Sequence, residues 1–198
     1  LGNEWFDNWQ YALQKAKQLG LQIWIYDENS YPSGFAGGHV PEQMPASWNQ
    51  GQMLHLTKVS SLPDTATQFY CVLKANGNGF EDITARTGEE KNKTGDYYLF
   101  SKENYGRSDW YGGYSYVDLM VKGVTEKFIE LTMKGYEKAV GNEFGKTLKG
   151  VFSDEPNIET QGPGNVRWTP ALFDRFQQNH GYDLKTVLPS LFEETGNW

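Results

Sequence analysis

The chain has 198 residues, of which 38% are hydrophobic and 15% aromatic, and its 18 basic and 25 acidic residues give a net charge of −7. This composition supports a folded core and excludes wholesale disorder, while the acidic balance argues against a protein that binds a nucleic-acid backbone. The single cysteine, Cys71, excludes an internal disulfide framework, and no apolar run reaches the roughly 18 residues needed to span a membrane.

The first 27 residues predict a helix followed by a buried strand. Apolar residues recur at helical spacing over 4–19, and Gly20 stands where a helix commonly ends. The next run, LQIWIYD at 21–27, is apolar nearly throughout, as expected of a parallel strand buried on both faces. A helix, a glycine and a buried strand together form half of an α/β repeat.

A long loop follows this strand. Residues 28–45 contain three glycines and three prolines and show no periodicity. Loops of this length without secondary structure are uncommon in compact domains and are usually functional. The glycine spacing matches neither the P-loop nor the dinucleotide-binding motif, so a tight turn packed beneath a cleft is the better interpretation.

The character of the chain changes over residues 54–117. Several runs there have strand-like composition, and NGNG at 76–79 is typical of a hairpin turn. We therefore expect a β-rich insertion that emerges from an α/β scaffold. The α/β pattern then resumes with a helix over about 122–140, the strand LKGVFSDE at 148–155 and a helix that ends at Gly181.

Both buried strands end in a pair of acidic residues. The first strand ends in Asp27-Glu28 and the second in Asp154-Glu155. In parallel α/β proteins the active site lies at the carboxyl ends of the strands, so these side chains are expected to meet at one edge. Hydrolysis of a glycosidic bond requires two carboxyl groups, one protonated and one ionised.

Two alternative roles for these acidic residues stay open. An acid at a strand end can simply cap the turn that follows it. Clustered carboxylates also bind calcium, although EF-hand spacing is absent. The scattered histidines, at 39, 55 and 180, argue against a transition-metal site.

Three segments together resemble a known enzyme family. They are WIYDENSYPSGFAGG, GVFSDEPNI and WTPALFDRFQQNHGYDLKTVLPSLF, and in order and character they resemble the catalytic barrel of family 106 glycoside hydrolases, which are α-L-rhamnosidase-like enzymes of bacteria that degrade plant polysaccharides. The resemblance implies part of a TIM-type (β/α)8 barrel and exo-acting, inverting hydrolysis of a terminal deoxysugar. It leaves a role for calcium open and implies a periplasmic or secreted protein.

The resemblance implies roles for individual residues. Glu28 and Glu155 are the candidate catalytic carboxylates, without a decision on which is the acid and which the base. Asp27 and Asp154 are expected to support them or to bind substrate. Candidates for lining the sugar site are Tyr31, Trp48 and Trp168. Independently of the resemblance, His39 is a candidate for contact with substrate because it lies in the long loop after the first strand.

These expectations divide the chain into a barrel segment at 1–53, the β-rich insertion at 54–117 and a second barrel segment at 118–198. A complete (β/α)8 barrel needs about 250 residues, so we expect about half a barrel here and the remainder in a longer parent polypeptide, without which the chain is inactive. The expected partner is an oligosaccharide or polysaccharide substrate.

Two further functions remain as alternatives. A non-catalytic carbohydrate-binding module would use the same aromatic residues without needing two acidic strand ends. A retaining hydrolase of the β-galactosidase or β-glucuronidase type would use two carboxylates on a similar barrel. Its acid/base strand usually ends in Asn-Glu, whereas this chain has Asp154-Glu155.

Overall fold

The computed structural model describes residues 2–160 and 162–195. In chain order its helices and strands are α1 (Asn3–Gln18), β1 (Ile23–Tyr26), α2 (His39–Gln43), β2 (Met53–Ser61), β3 (Cys71–Asn76), β4 (Gly79–Asp82), β5 (Thr94–Glu103), α3 (Val124–Val140), β6 (Leu148–Phe152), β7 (Asn165–Arg167) and α4 (Leu172–His180).

The chain divides into two compact units, each made of two stretches. Unit 1 comprises Leu1–Trp48 and Gly106–Ile158, and unit 2 comprises Asn49–Tyr105 and Glu159–Trp198. The domain limits expected from the sequence, after residues 53 and 117, stay predictions.

Unit 1 is built around a parallel pair of strands, β1 and β6. Side chains alternate across a strand, so Ile25 faces the core while Trp24 and Tyr26 are exposed on the other face. Ile25 packs with residues of α1, α3 and β6, namely Leu13, Tyr136, Val140 and Leu148. The two helices thus cover one face of the pair and fix its orientation.

Unit 2 contains a curled antiparallel sheet of five strands in the order β4-β3-β5-β2-β7. Its central strand β5 alternates between two hydrophobic clusters: Tyr98 and Phe100 belong to one, and Tyr97 and Leu99 to the other. Hydrophobic residues therefore cover both faces of this sheet. The hairpin predicted at NGNG is present, since β3 and β4 pair across a turn at Gly77 with a φ of +60°.

The predicted TIM-type (β/α)8 barrel is wrong. Among the described residues, the helix-then-strand pairs α1–β1 and α3–β6 contribute the parallel strands, whereas β2, the strand after α2, belongs to the antiparallel sheet. The segment 165–167, expected in the second barrel segment, forms β7 and pairs antiparallel with β2, where Val166 lies opposite Leu54. The chain therefore combines a small parallel sheet with a larger antiparallel one. Residues 165–166, assigned to the second barrel segment, pair with residues 54–55 at the start of the assigned insertion.

The segment after α4 begins at a capping residue. The Asp183 carboxylate accepts from the Lys185 amide at 3.0 Å. The segment that follows, Leu184–Leu191, is a 3₁₀ helix containing Pro189. None of the helices in the described part of the chain is long and apolar enough to cross a membrane.

Candidate active site

The parallel pairing of β1 and β6 brings the two acidic strand ends together. Tyr26 is the register partner of Phe152, and the Asp27 amide donates to the Phe152 carbonyl at 3.1 Å. Because the strands run in the same direction, Asp27-Glu28 and Asp154-Glu155 leave the sheet at the same edge. We refer to these four acidic residues as the carboxylate cluster.

Ser33 joins the two halves of the cluster. Its side chain is 2% exposed, and its hydroxyl donates to Asp27 Oδ1 at 2.5 Å while accepting from the Asp154 amide at 2.9 Å. The Ser33 amide also donates to the Asp154 carbonyl at 2.9 Å. The loop after β1 is therefore fastened to the end of β6, and Asp27 is a buried, hydrogen-bonded member of the cluster.

Two tyrosines donate to the second acidic pair. The Tyr26 phenol donates to the Asp154 carboxylate, and this bond, together with burial and the nearby Glu28 carboxylate, raises the pKa of Tyr26. The Tyr31 phenol donates to the Glu155 carboxylate, which raises the pKa of Tyr31 to about 12. A neighbouring anion disfavours the phenolate, so both tyrosines remain donors at neutral pH.

Glu28 occupies a different environment. It lines a cavity of about 200 Å³, and its Oε1 is buried without a hydrogen-bond partner among the described residues. The other lining residues are Tyr26, Asp27, Asn29, Ala36, His39, Gln43, Leu131, Thr132 and Tyr136. We call this cavity the Glu28 pocket. An unpartnered buried acceptor is costly, and a ligand hydroxyl in the pocket would satisfy it.

The backbone around the cluster is strained at three non-glycine residues. Glu155 has a φ of +41°, and Ser30 and Ala36 in the loop after β1 have φ values of +74° and +51°. Such conformations persist where the surrounding structure holds them, and they concentrate at functional sites. Glu155 itself is exposed and is oriented by its contact with Tyr31.

Two other predicted sugar-lining residues also lie in unit 1. His39 begins α2 and lines the Glu28 pocket, with its Nδ1 3.6 Å from Glu42 Oε2. Trp48 is half-buried, and its indole N–H donates to the Pro41 carbonyl at 3.2 Å. His39 therefore lies beside a cluster carboxylate, whereas Trp48 is held by the α2 segment.

Trp168 is placed in unit 2. It is 1% exposed and belongs to the hydrophobic cluster around β2, β3 and β5. Its ring is covered on one side by the Lys102 ammonium, 4.6 Å from the ring centroid, and contacts Tyr70 edge-on. This burial favours a packing role over contact with a sugar.

Sequence reasoning missed Trp110. Its ring is 59% exposed, and its indole N–H donates to the backbone carbonyl of Tyr31, whose side chain reaches Glu155. The residue falls in the stretch interpreted as a β-rich insertion, which was assigned no part in the site. One sequence signal could have identified it. Trp110 follows polar residues and is itself followed closely by Gly112-Gly113, and such a sequence is typical of a surface turn.

Another cavity is larger than the Glu28 pocket and shares none of its lining residues. It measures about 390 Å³ and lies between α3 and β6, with an apolar lining that includes Ile129, Met133 and Val151. No group of three or more His, Cys, Asp or Glu side chains in the described part of the chain is arranged to hold a metal ion. The role left open for calcium stays a prediction.

Comparison of the chain with protein-family models, with curated proteins and with solved structures found no match. The function therefore has to follow from the site and from the resemblance of the three sequence segments.

Proposed function

We propose that the chain carries part of the active site of a glycoside hydrolase in which Glu28 and Glu155 are the paired carboxylates. The observation that carries the proposal is the parallel pairing of β1 and β6, which delivers both acidic pairs to one edge. The resemblance to α-L-rhamnosidase-like enzymes supports a terminal rhamnoside as substrate and an inverting mechanism. Both assignments come from the sequence and belong to the proposal.

The chemistry needs one carboxyl group that gives a proton to the leaving oxygen and one that activates water. Glu28 offers an oxygen that has no hydrogen-bond partner in the described part of the chain and that lies in a polar pocket, and Glu155 is exposed at the same strand edge. The Ser33 hydroxyl holds Asp27 and the Asp154 backbone in place by hydrogen bonds. The Tyr31 phenol does the same for the Glu155 side chain. Such fixed positioning is what catalysis by side-chain acids and bases requires.

The test is hydrolysis of aryl glycosides by the full-length polypeptide that carries these residues, with an α-L-rhamnoside first and a galactoside and a glucuronide for comparison. Glu28→Gln and Glu155→Gln should each lower kcat by about 10²–10⁴-fold, the usual contribution of a general acid or base. Sugar binding should remain, because an amide replaces a carboxylate of nearly the same shape.

Glu126→Gln is the matched control, since Glu126 is an exposed acid in the first turn of α3 within the same unit. It should leave the rate within about twofold, as expected of a surface substitution. Wild-type rates in either cluster variant would contradict the proposal. Equal loss of sugar binding in both variants would favour a carbohydrate-binding module.

A further inference from the structure

We propose that Trp110 binds a second sugar unit of the substrate by stacking against its ring, next to the sugar held at the carboxylate cluster. This inference rests on the proposed glycoside hydrolase function, because it takes the ligand to be a carbohydrate. It extends that proposal by assigning a binding position to a residue that neither the sequence motifs nor the Glu28 pocket includes.

The position of Trp110 is the first argument. Its indole N–H donates to the Tyr31 carbonyl, and the Tyr31 phenol donates to the Glu155 carboxylate. One residue therefore connects the tryptophan to a candidate catalytic group. Tyr31 is itself 42% exposed, so two exposed aromatic side chains follow one another here: Tyr31 contacts Glu155, and Trp110 contacts the Tyr31 backbone.

The second argument is that Trp110 is held in place. It lies in the turn Asp109–Tyr111, where the Ser108 hydroxyl accepts from the Trp110 amide at 3.2 Å. The next residue, Tyr111, packs edge-on against buried Phe35, with ring centroids 5.1 Å apart. A rigid exposed aromatic ring loses little conformational entropy when a ligand binds, and this preorganisation is typical of binding residues.

A close backbone contact fixes the same turn. Gly38 has a φ of +101°, and a Cβ atom there would lie 2.9 Å from the Gly112 Cα. The turn that carries Trp110 is thus fitted against the loop after β1 at a point where only glycine is accommodated. The polar atom of the indole is satisfied within the protein, which leaves the apolar ring for a ligand.

The chemistry of the surroundings selects the kind of ligand. An aromatic ring accepts the C–H face of a sugar, and it also accepts a nucleobase. The Glu155 carboxylate, which is bound by Tyr31, would repel the phosphates of a nucleotide, and the net charge of −7 adds to this repulsion. A neutral sugar carries apolar C–H groups and hydroxyl groups without bringing a negative charge to the cluster.

The Glu28 pocket and Trp110 are separate. Trp110 is not among the residues that line the pocket, whose volume of about 200 Å³ suits a single sugar. A ring stacked on Trp110 is consequently a different sugar from the one in the pocket. The structure thus assigns Trp110 to the unit adjoining the terminal sugar, and the contact should matter only for substrates with at least two rings.

The experiment compares two substrates of the full-length polypeptide: α-L-rhamnosyl fluoride, which has one ring, and a rhamnosyl-glucose disaccharide. Trp110→Ala should raise KM for the disaccharide roughly tenfold, the size of a single stacking contact, with kcat nearly unchanged. KM for the fluoride should stay within about twofold, and Trp110→Phe should recover most of the affinity for the disaccharide. Tyr11→Ala is the control, since Tyr11 is an exposed aromatic residue on α1.

Two outcomes overturn the stacking role: equal effects on both substrates, or no effect on either. Binding of the disaccharide to the 198-residue chain, measured by calorimetry, separates this role from the proposed function. If hydrolysis is absent but Trp110→Ala weakens binding, the stacking role stands and the proposed function fails. If the wild-type chain and the full-length polypeptide both fail to bind the disaccharide, the stacking role is refuted.

Discussion

Replacing Ser33 by alanine should destabilise unit 1 and separate the two halves of the carboxylate cluster. The Ser33 hydroxyl makes two hydrogen bonds in a buried position, one to Asp27 Oδ1 at 2.5 Å and one from the Asp154 amide at 2.9 Å. Alanine fits the same space and keeps the backbone bond from residue 33 to the Asp154 carbonyl. The substitution therefore removes the two hydroxyl bonds and little else.

The expected cost follows from the two bonds. A hydrogen bond to a charged group contributes about 1.5–3 kcal/mol and one between neutral groups about 0.5–1.5 kcal/mol. Ser33→Ala should accordingly lower the free energy of unfolding by about 2–4 kcal/mol, because buried Asp27 and the Asp154 amide both lose a partner. Under the proposed function, kcat for an α-L-rhamnoside should fall as well, since Asp154 is next to Glu155.

Urea unfolding followed by tryptophan fluorescence measures this cost, since most of the tryptophans lie in unit 1. Ser153→Ala is the matched control: Ser153 precedes Asp154 and is exposed, so its loss should change stability by less than about 0.5 kcal/mol. If Ser33→Ala costs no more than the control, the two bonds do not hold the strand ends together and the reasoning is refuted.

Three further predictions concern single side chains. Glu155→Gln should lower the pKa of Tyr31 from about 12 toward the ordinary value of about 10, followed through the phenol carbon by NMR, because the anion that disfavours the phenolate is gone. The bond from Lys74, with smaller contributions from other donors, holds the pKa of Glu90 down at about 2. The ionised Glu90 side chain should therefore stabilise unit 2 fully above pH 4.5, the pKa of the unfolded state, and this stabilisation should be lost as the pH falls toward 2. Urea unfolding at a series of pH values should show this loss in the wild type and not in Glu90→Gln. Gly38→Ala should destabilise unit 1 by about 1–3 kcal/mol and weaken disaccharide binding, because its positive φ and its backbone contact both exclude a Cβ atom.

Controls for these predictions come from neighbouring positions. Glu89→Gln removes an exposed acid beside Glu90 and should leave the acid sensitivity of unit 2 unchanged. Gly113→Ala, in the same unit, places a side chain at a φ of +84° with no atom within 4 Å of its Cβ, so its cost reports backbone strain without steric contact. An unchanged Tyr31 pKa in Glu155→Gln would contradict the hydrogen bond between them. A Gly38 variant as stable as wild type would contradict the close packing of the Trp110 turn.

Local patterns predicted much of unit 1. The hydrophobic pattern predicts the strand IWIY, the helix before it and the helix before β6. The acidic residues that follow each strand are read directly from the sequence. The general rule for α/β proteins predicts that β1 and β6 end at the same edge of a sheet, and the two strands do pair in parallel. These features depend on residues close in sequence, or on a general rule for parallel strands.

The architecture as a whole was not predictable in the same way. Strand pairing depends on which edges meet, and β7 has only three residues, too few for a recognisable pattern, yet it pairs with β2 more than 100 residues earlier. The solvent exposure of individual tryptophans could not be predicted from the sequence either. Trp168 is buried in unit 2, whereas Trp110 is exposed to solvent. Composition reports how many aromatic residues exist, whereas packing decides which of them a ligand can reach.

The most direct test of the proposed site is the rate of the double variant Glu28→Gln/Glu155→Gln. Two carboxylates that act on one glycosidic bond form a single catalytic unit, so the double variant should be about as slow as the slower single variant. If the two losses multiply, Glu28 and Glu155 act independently. That result would contradict the central claim that the ends of β1 and β6 form one active site.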